Sequence, residues 1–97
     1  MPRPQRCRKI GRRPDVTYFK PAGMGLKALE EIVLTIDEYE AVRLKDLNGL
    51  DQAESASKMN ISQPTFQRLI TIARKKISDA IINGKAIKVE GGNIRYE

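Results

Sequence analysis

Five side chains that can hydrogen-bond to another molecule lie within nine residues in the second half of the chain. They are Gln63, Thr65, Gln67, Arg68 and Thr71. Glutamine can hold the edge of adenine with two hydrogen bonds, and arginine can hold guanine in the same way. Residues three and four apart lie on one side of a helix. The spacing therefore predicts a helix whose exposed edge reads bases in the major groove of duplex DNA.

Residues suited to phosphate lie on both sides of this segment. Gln52 and Ser62 stand at the starts of two predicted helices, where backbone N–H groups attract anions. The basic run Arg74, Lys75 and Lys76 follows, and we expect it to continue along the DNA backbone. The alternative is three packed helices with a polar face that only contacts water. We favour DNA binding because several positions match the same arrangement together.

Three predicted helices must position these side chains, over about 36–47, 51–59 and 62–83. Thr35 and Glu38 form a capping box before the first helix, and Asp51 and Ser62 can cap the other two. Pro64 falls in the first turn of the last helix, where its missing N–H costs nothing. The order and spacing predict a mainly α domain.

The link between the second and third helices is short. Asn60 tolerates the left-handed conformation that a tight turn needs, and Ala56 is small enough for two helices to cross closely. This is the layout of a DNA-binding helix-turn-helix. Ser55 stands where the pattern usually has an aliphatic residue, and we expect its hydroxyl to bond a backbone carbonyl one turn back.

The two ends of the chain differ from this centre. Residues 1–14 predict a basic extended arm, and residues 15–97 a single domain. The arm's bases can enter a minor groove, or the arm can be a solubilising tail; these bases are Arg6, Arg8, Lys9, Arg12 and Arg13. Residues 85–96 alternate around Gly91 and Gly92, which predicts a small C-terminal β-hairpin.

Charge is unevenly distributed along the chain. The net charge is +6, yet residues 28–54 hold eight acids against two bases. Asp37, Glu38 and Glu40 fall near the start of a predicted helix, where the helix dipole favours carboxylates. Alternatively, these three acids receive a basic partner surface. We disfavour a metal site or an acid/base site.

Composition narrows the function classes. The chain has 97 residues, no histidine and a single cysteine, Cys7, so it offers neither a cysteine/histidine zinc site nor an internal disulfide. It shows no nucleophile–base pair and no phosphate-binding glycine loop, and we expect no enzyme activity, no metal and no cofactor. No apolar run reaches membrane-spanning length, so we expect a cytoplasmic protein without membrane contact.

Several segments resemble a family of small, uncharacterised prokaryotic proteins predicted to bind DNA. The segments are residues 1–8, 19–23, 34–46, 49–52, 59–62, 65–68 and 84–86. The helix-turn-helix is also similar to region four of sigma factors, including Ala73 and Arg74 after the recognition helix. Asn60 replaces the glycine usual at the turn, and Asp51 replaces the threonine usual at the cap. The resemblance implies DNA binding, with regulation of transcription as its purpose.

Together these patterns predict a sigma region four-like, three-helix domain that binds duplex DNA sequence-specifically and regulates transcription. One helix-turn-helix rarely gathers enough contact for specificity, so we expect a homodimer. Its candidate surfaces are the helix beyond Ile72 and the hairpin residues Ile87, Val89 and Ile94. The alternative is a protein-interaction module of the transcription machinery, with RNA polymerase as a partner.

Overall fold

Helices dominate the computed structural model, which describes residues 7–25 and 28–96. They are α1 (Ile36–Val42), α2 (Gln52–Met59) and α3 (Gln63–Asn83). α1 continues into a π-helical turn over Arg43–Leu47, called here the π segment. The mainly α class predicted from the sequence is confirmed. Within the described ranges, no helix combines the length and the apolar character needed to cross a membrane.

Side-chain caps start each helix where the sequence predicts them. The Thr35 hydroxyl accepts the Glu38 amide, and the Glu38 carboxylate accepts the Thr35 amide at 2.9 Å, so the capping box is complete. The Asp51 carboxylate accepts an amide of the first turn of α2 at 2.7 Å. The Ser62 hydroxyl does the same for α3 at 3.2 Å. Each cap satisfies an N–H that has no partner inside its own helix.

Asn60 turns the chain between α2 and α3. Its backbone is left-handed, with φ 59° and ψ 43°, and its N–H donates to the carbonyls that end α2. Asparagine is one of the few residues other than glycine that adopt this conformation readily. The turn brings Ile61 back against Ala56, whose carbonyl accepts the Ile61 N–H at 3.1 Å.

The described residues include five short strands, which form two small sheets. The strands are β1 (Arg8–Ile10), β2 (Tyr18–Phe19), β3 (Glu31–Leu34), β4 (Ala86–Val89) and β5 (Ile94–Tyr96). One sheet has the order β2-β4-β3, with β4 antiparallel to β2 and parallel to β3. The other pairs β1 with β5 in parallel. The sheets flank the helices and hold both ends of the described chain.

The predicted C-terminal hairpin is not formed, because β4 and β5 belong to different sheets. Gly91 and Gly92 turn the chain with φ of 75° and 102°, as a hairpin turn would. The turn is anchored to the start of α1, where the Ile36 N–H donates to the Gly91 carbonyl at 3.0 Å. A Cβ on Gly92 would lie 2.6 Å from the Asp37 carboxylate. This close approach directs β5 away from β4 and toward β1.

Part of the extended arm predicted over residues 1–14 is docked, because Arg8–Ile10 form strand β1. Lys9 and Ile10 pair with Arg95 and Tyr96 of β5. Ile10 is 1% exposed and belongs to the main core cluster. A single aliphatic side chain among many bases gave little sequence signal, yet its burial fixes the segment. Residues 1–6, which include the arm's Arg6, lie outside the described part of the chain.

Aliphatic side chains and one phenylalanine make the core. The main cluster joins α1, α2 and α3 around Met59, Phe66 and Ile70, which are at most 1% exposed. A second cluster packs α3 against the three-stranded sheet through Leu34, Ala73, Val89. The core therefore holds the start of α3 against α2 and the middle of α3 against the sheet, leaving the outer face of α3 exposed.

Ser55 is buried in this core without a hydrogen bond. Its side chain is 0% exposed, and its Oγ has no partner within residues 7–25 and 28–96. The expected bond to a carbonyl one turn back is therefore wrong. Leaving a buried hydroxyl unpaired costs about 1–3 kcal/mol.

Replacing Ser55 with alanine should consequently raise the free energy of unfolding by about 1 kcal/mol, because it removes the unpaired hydroxyl at little change in volume. The matched control is Ser57→Ala, on the same helix but exposed. Ser57→Ala brings the same gain in helix propensity, about 0.5 kcal/mol, but removes no buried hydroxyl. Urea unfolding of the three proteins measures the difference. Equal stabilities of the two variants would contradict the explanation.

Candidate nucleic-acid interface

The outer face of α3 presents the five side chains predicted to read bases. Gln63, Gln67 and Thr71 are exposed and follow one line along the helix at four-residue spacing. The Gln67 amide donates to the Thr71 hydroxyl at 3.4 Å. Arg68 is exposed and donates to the hydroxyl of the half-buried Thr65, also at 3.4 Å. These contacts are long, so the groups can exchange them for an external partner.

The N-termini of α2 and α3 lie side by side. The Gln52 side-chain amide donates to the backbone carbonyl of Gln63 at 3.2 Å. Gln52 thus ties the two helix starts together and keeps one further amide hydrogen. Ser62 is exposed, and its hydroxyl is held between the amide and the hydroxyl of Thr65. Gln52 and Ser62, two of the residues predicted to contact phosphate, therefore lie at the same end of the helix pair as Gln63.

Arg74 is paired within the protein. Its guanidinium donates to both oxygens of Asp46, at 2.5 and 3.1 Å, across the gap between the π segment and α3. The hydrogen bond lowers the pKa of Asp46 and raises that of Arg74. Both side chains keep substantial exposure, 50% and 37%. Asp46 therefore offsets a positive charge that the sequence assigned to phosphate.

The neighbours of Arg74 differ from it and from each other. Lys76 is half-buried and its ammonium lies 2.7 Å from the Glu38 carboxylate. Lys75 is exposed, and it interacts electrostatically with Asp79, one turn further along α3. Arg74 and Lys76 of this run thus form salt bridges within the protein, whereas the exposed Lys75 is in none of the salt bridges found among the described residues.

The predicted arm bases are separated by the docking of β1. The Arg8 guanidinium lies 3.8 Å from the Asp37 carboxylate and is mostly buried. Lys9 is half-buried. Arg12 is exposed beside Asp15, and the Arg13 guanidinium stacks on the Tyr96 ring at 4.0 Å. Arg12 and Arg13 are thus the described arm bases that remain on the surface.

The three acids proposed to receive a basic partner surface are buried instead. Asp37, Glu38 and Glu40 are 6%, 5% and 2% exposed. Their respective partners are Arg8, Lys76 and Arg43 of the same chain. These carboxylates hold the basic segments to α1, and they are not available to another protein. Among the described residues, no group of three or more acids, cysteines or histidines could hold a metal.

Glu40 is the centre of a network that sequence reasoning missed. Its two oxygens accept the Arg43 guanidinium at 2.6 and 2.8 Å, and one of them also accepts the Gly11 amide at 2.7 Å. The hydrogen bond raises the pKa of Arg43. The three-residue spacing within one helix was a visible signal for the ion pair. The contact with Gly11 had no local signal, because 29 residues separate the partners.

A family model described as "Protein of unknown function DUF134" matches residues 1–97. The chain belongs to this family. A UPF0251 protein of Caldanaerobacter subterraneus is 59% identical over 98% of this chain and 80% of its own length. One of Thermoanaerobacter sp. strain X514 is 56% identical over 100% of this chain and 87% of its own. No solved structure matches the chain.

Some members of the family are longer than this chain. A UPF0251 protein of Moorella thermoacetica is 55% identical over 95% of this chain but only 62% of its own length. The family shown by these matches is the one that the sequence segments resemble. Its descriptions assign no ligand, and the function must be argued from the site.

Proposed function

We propose that this protein binds duplex DNA by placing the start of α3 in the major groove, and that it regulates transcription. One observation carries the proposal: a helix held by α2 exposes Gln63, Gln67, Arg68 and Thr71 along one face. The major groove is about 12 Å wide and admits an α-helix. In this reading α2 and α3 act as a helix-turn-helix similar to that of sigma region four, with α3 as recognition helix.

The flanking groups suit the DNA backbone. Ser62 and Gln52 stand at the helix starts, where the dipole and unpaired amides favour phosphate. Lys75 lies four residues beyond Thr71 on the same face. These contacts would fix the register of the helix in the groove, and the side chains between them would select bases.

A salt titration tests the proposal. We expect fluorescence anisotropy with random duplex DNA to show binding at low salt that weakens steeply between about 50 and 200 mM. Each phosphate contact adds roughly 0.9 to the slope of log K against log salt. Absence of binding at the lowest salt would refute the proposal. Genome-wide recovery of bound DNA would then supply the operator for the specific measurements.

Asp46→Asn should strengthen DNA binding, because Arg74 loses the carboxylate that neutralises it and becomes available to phosphate. We expect a three- to tenfold gain at low salt and a salt slope steeper by about one contact. Glu30→Gln is the matched control, since it removes one exposed acid that pairs with Lys85 and not with Arg74. It changes net charge equally and should alter binding less. Equal gains in DNA affinity for Asp46→Asn and Glu30→Gln would show that the change in net charge alone causes the effect.

Part of the dimer surface expected from the sequence remains exposed, and part of it does not. Val89 is 4% exposed and packs inside, and Ile94 packs against the main core cluster, so neither offers a dimer contact. Ile81 and Ile82 near the end of α3 are 72% and 79% exposed. Nearby, Leu47, Phe19, Ile77 and Ile87 help to line an apolar groove of about 300 Å³. Exposed apolar surface of this kind marks interaction sites.

We expect light scattering to give a dimer at high micromolar concentration and Ile82→Lys to give a monomer. Ile82 is mostly exposed, so the change should leave the free energy of unfolding of the monomer within about 0.5 kcal/mol of the original. Val16→Lys, at another exposed apolar position, is the control and should remain dimeric. If the unsubstituted protein is a monomer, the dimer is contradicted. The proposal that single chains bind DNA is not affected by that result.

A further inference from the structure

A second, polar cavity lies between the loop after β1, the π segment and α2. Its volume is about 540 Å³. Lys9 and Gly11 contribute one wall, Arg43 a second, and Ser57 and Lys58 of α2 a third. No part of the recognition face of α3 lines it. The cavity is therefore separate from the proposed DNA-reading surface.

Arg43 is held in this wall in a fixed orientation. Glu40, buried to 2% exposure, accepts its Nε–H and one Nη2–H in a side-on pair. A guanidinium has five N–H groups in a rigid plane, so three remain, and two of these form the end-on fork. Within residues 7–25 and 28–96 those three N–H groups have no acceptor. An oriented, unsatisfied fork is the group that binds planar carboxylates and phosphates in two places.

The absence of a side chain at residue 11 permits this arrangement. A Cβ on Gly11 would lie 3.0 Å from the Arg43 Nη2 and 3.2 Å from the Glu40 Oε2. The Gly11 amide also donates to Glu40. Gly11 therefore allows the loop after β1 to lie close to the Arg43 guanidinium. A methyl group at residue 11 would displace that guanidinium.

We propose that this cavity binds a small anion bearing a carboxylate or phosphate group, with Arg43 as its principal contact. Lys9 and Lys58 add positive charge to the wall. Glu54, exposed at the rim, is the acid that opposes an anion. Glu40 and Arg43 offset each other's charge, so Arg43 binds the anion through its remaining N–H groups. Anion binding does not require that α3 bind DNA. The phosphate could belong to a free molecule or to a DNA backbone, and the proposal is for the free molecule.

Amide and arginine Nε–H NMR spectra of the full chain test this, with inorganic phosphate and succinate added separately at constant ionic strength. We expect saturable shifts confined to Gly11, the Arg43 Nε–H, and the Ser57 and Lys58 amides. Shifts that rise without saturation, or that are equally large at Arg68 and Lys75, would overturn the proposal. Shifts at the cavity with duplex DNA but with neither small anion would also overturn it, and would assign the site to the DNA backbone.

Three variants sharpen the result. Arg43→Lys keeps the charge and loses the fork, and should weaken binding about tenfold or more. Gly11→Ala should weaken it while leaving charge unchanged. Glu54→Gln removes the acid at the rim, and because Glu54 is exposed the core should stay unchanged. The variant should bind the anion about threefold more tightly. Glu30→Gln, with the same change in net charge, should leave affinity unchanged. An equal gain with Glu30→Gln, or no loss with Arg43→Lys in a folded protein, would contradict the assignment.

Discussion

Replacing Glu40 with alanine is expected to lower the free energy of unfolding by about 3 kcal/mol, the largest effect on stability predicted here for a charged side chain. The change leaves the Arg43 guanidinium without its carboxylate and the Gly11 amide without its acceptor. Breaking a buried ion pair typically costs about 3–5 kcal/mol. The lower end applies because the Arg43 side chain keeps 20% exposure and can be partly hydrated.

Urea unfolding measures this effect, with Glu54→Ala as the control at an exposed acid. The control should change stability by less than about 0.5 kcal/mol. The double variant Glu40→Ala with Arg43→Ala should cost less than the sum of the single changes, since it leaves no unpaired charge. A loss below about 1 kcal/mol for Glu40→Ala would show that water replaces the carboxylate at little cost.

Replacing Gln63 and Arg68 with alanine should reduce specific DNA binding by about 2 kcal/mol or more, roughly thirtyfold, once an operator is known. A glutamine or an arginine side chain can make a two-point contact with a base, and each such contact is worth about 1–3 kcal/mol of discrimination. Both residues are exposed, so the fold should be unaffected. Anisotropy with operator and scrambled duplexes measures the affinity and the specificity ratio.

The matched variant for this experiment is Lys75→Ala, which removes a charge proposed to contact phosphate. It should weaken binding to operator and scrambled DNA alike and lower the salt slope by about one contact. Equal losses on both duplexes for the Gln63 and Arg68 variant would remove the base-reading role. If DNA binding is absent while a protein such as RNA polymerase still binds, the interaction-module reading of the chain is favoured instead.

Local signals made the helices predictable from the sequence. Each cap depends on side chains within three residues of the helix start, as at Thr35 and Ser62. The turn at Asn60 depends on a single residue's tolerance of positive φ. The exposed face of α3 follows from helical periodicity alone. These features position most of the proposed interface, so the proposal rests largely on signals that are local in the sequence.

Long-range pairing hid the rest. β1 joins β5 across 86 residues, and the Gly11 amide reaches Glu40 across 29. The sequence around one partner of such a contact does not indicate which residue the other partner is. The acids of α1 look like a solvated helix start, and only tertiary packing shows that they are buried against Arg8 and Lys76. A dense run of bases likewise gave no sign that Ile10 enters the core.

The pairing of β1 with β5 also sets an order of events during synthesis. Residues 8–10 are made first, but their partner strand is Ile94–Tyr96. Synthesis must therefore reach residue 96 before β1 can pair with β5, while the helices between the two strands can already pack. A chain cut short before β5 would keep its basic segment undocked and its Gly11–Arg43 wall incomplete. Synthesis of β5 and docking of the segment that carries Gly11 are thus linked.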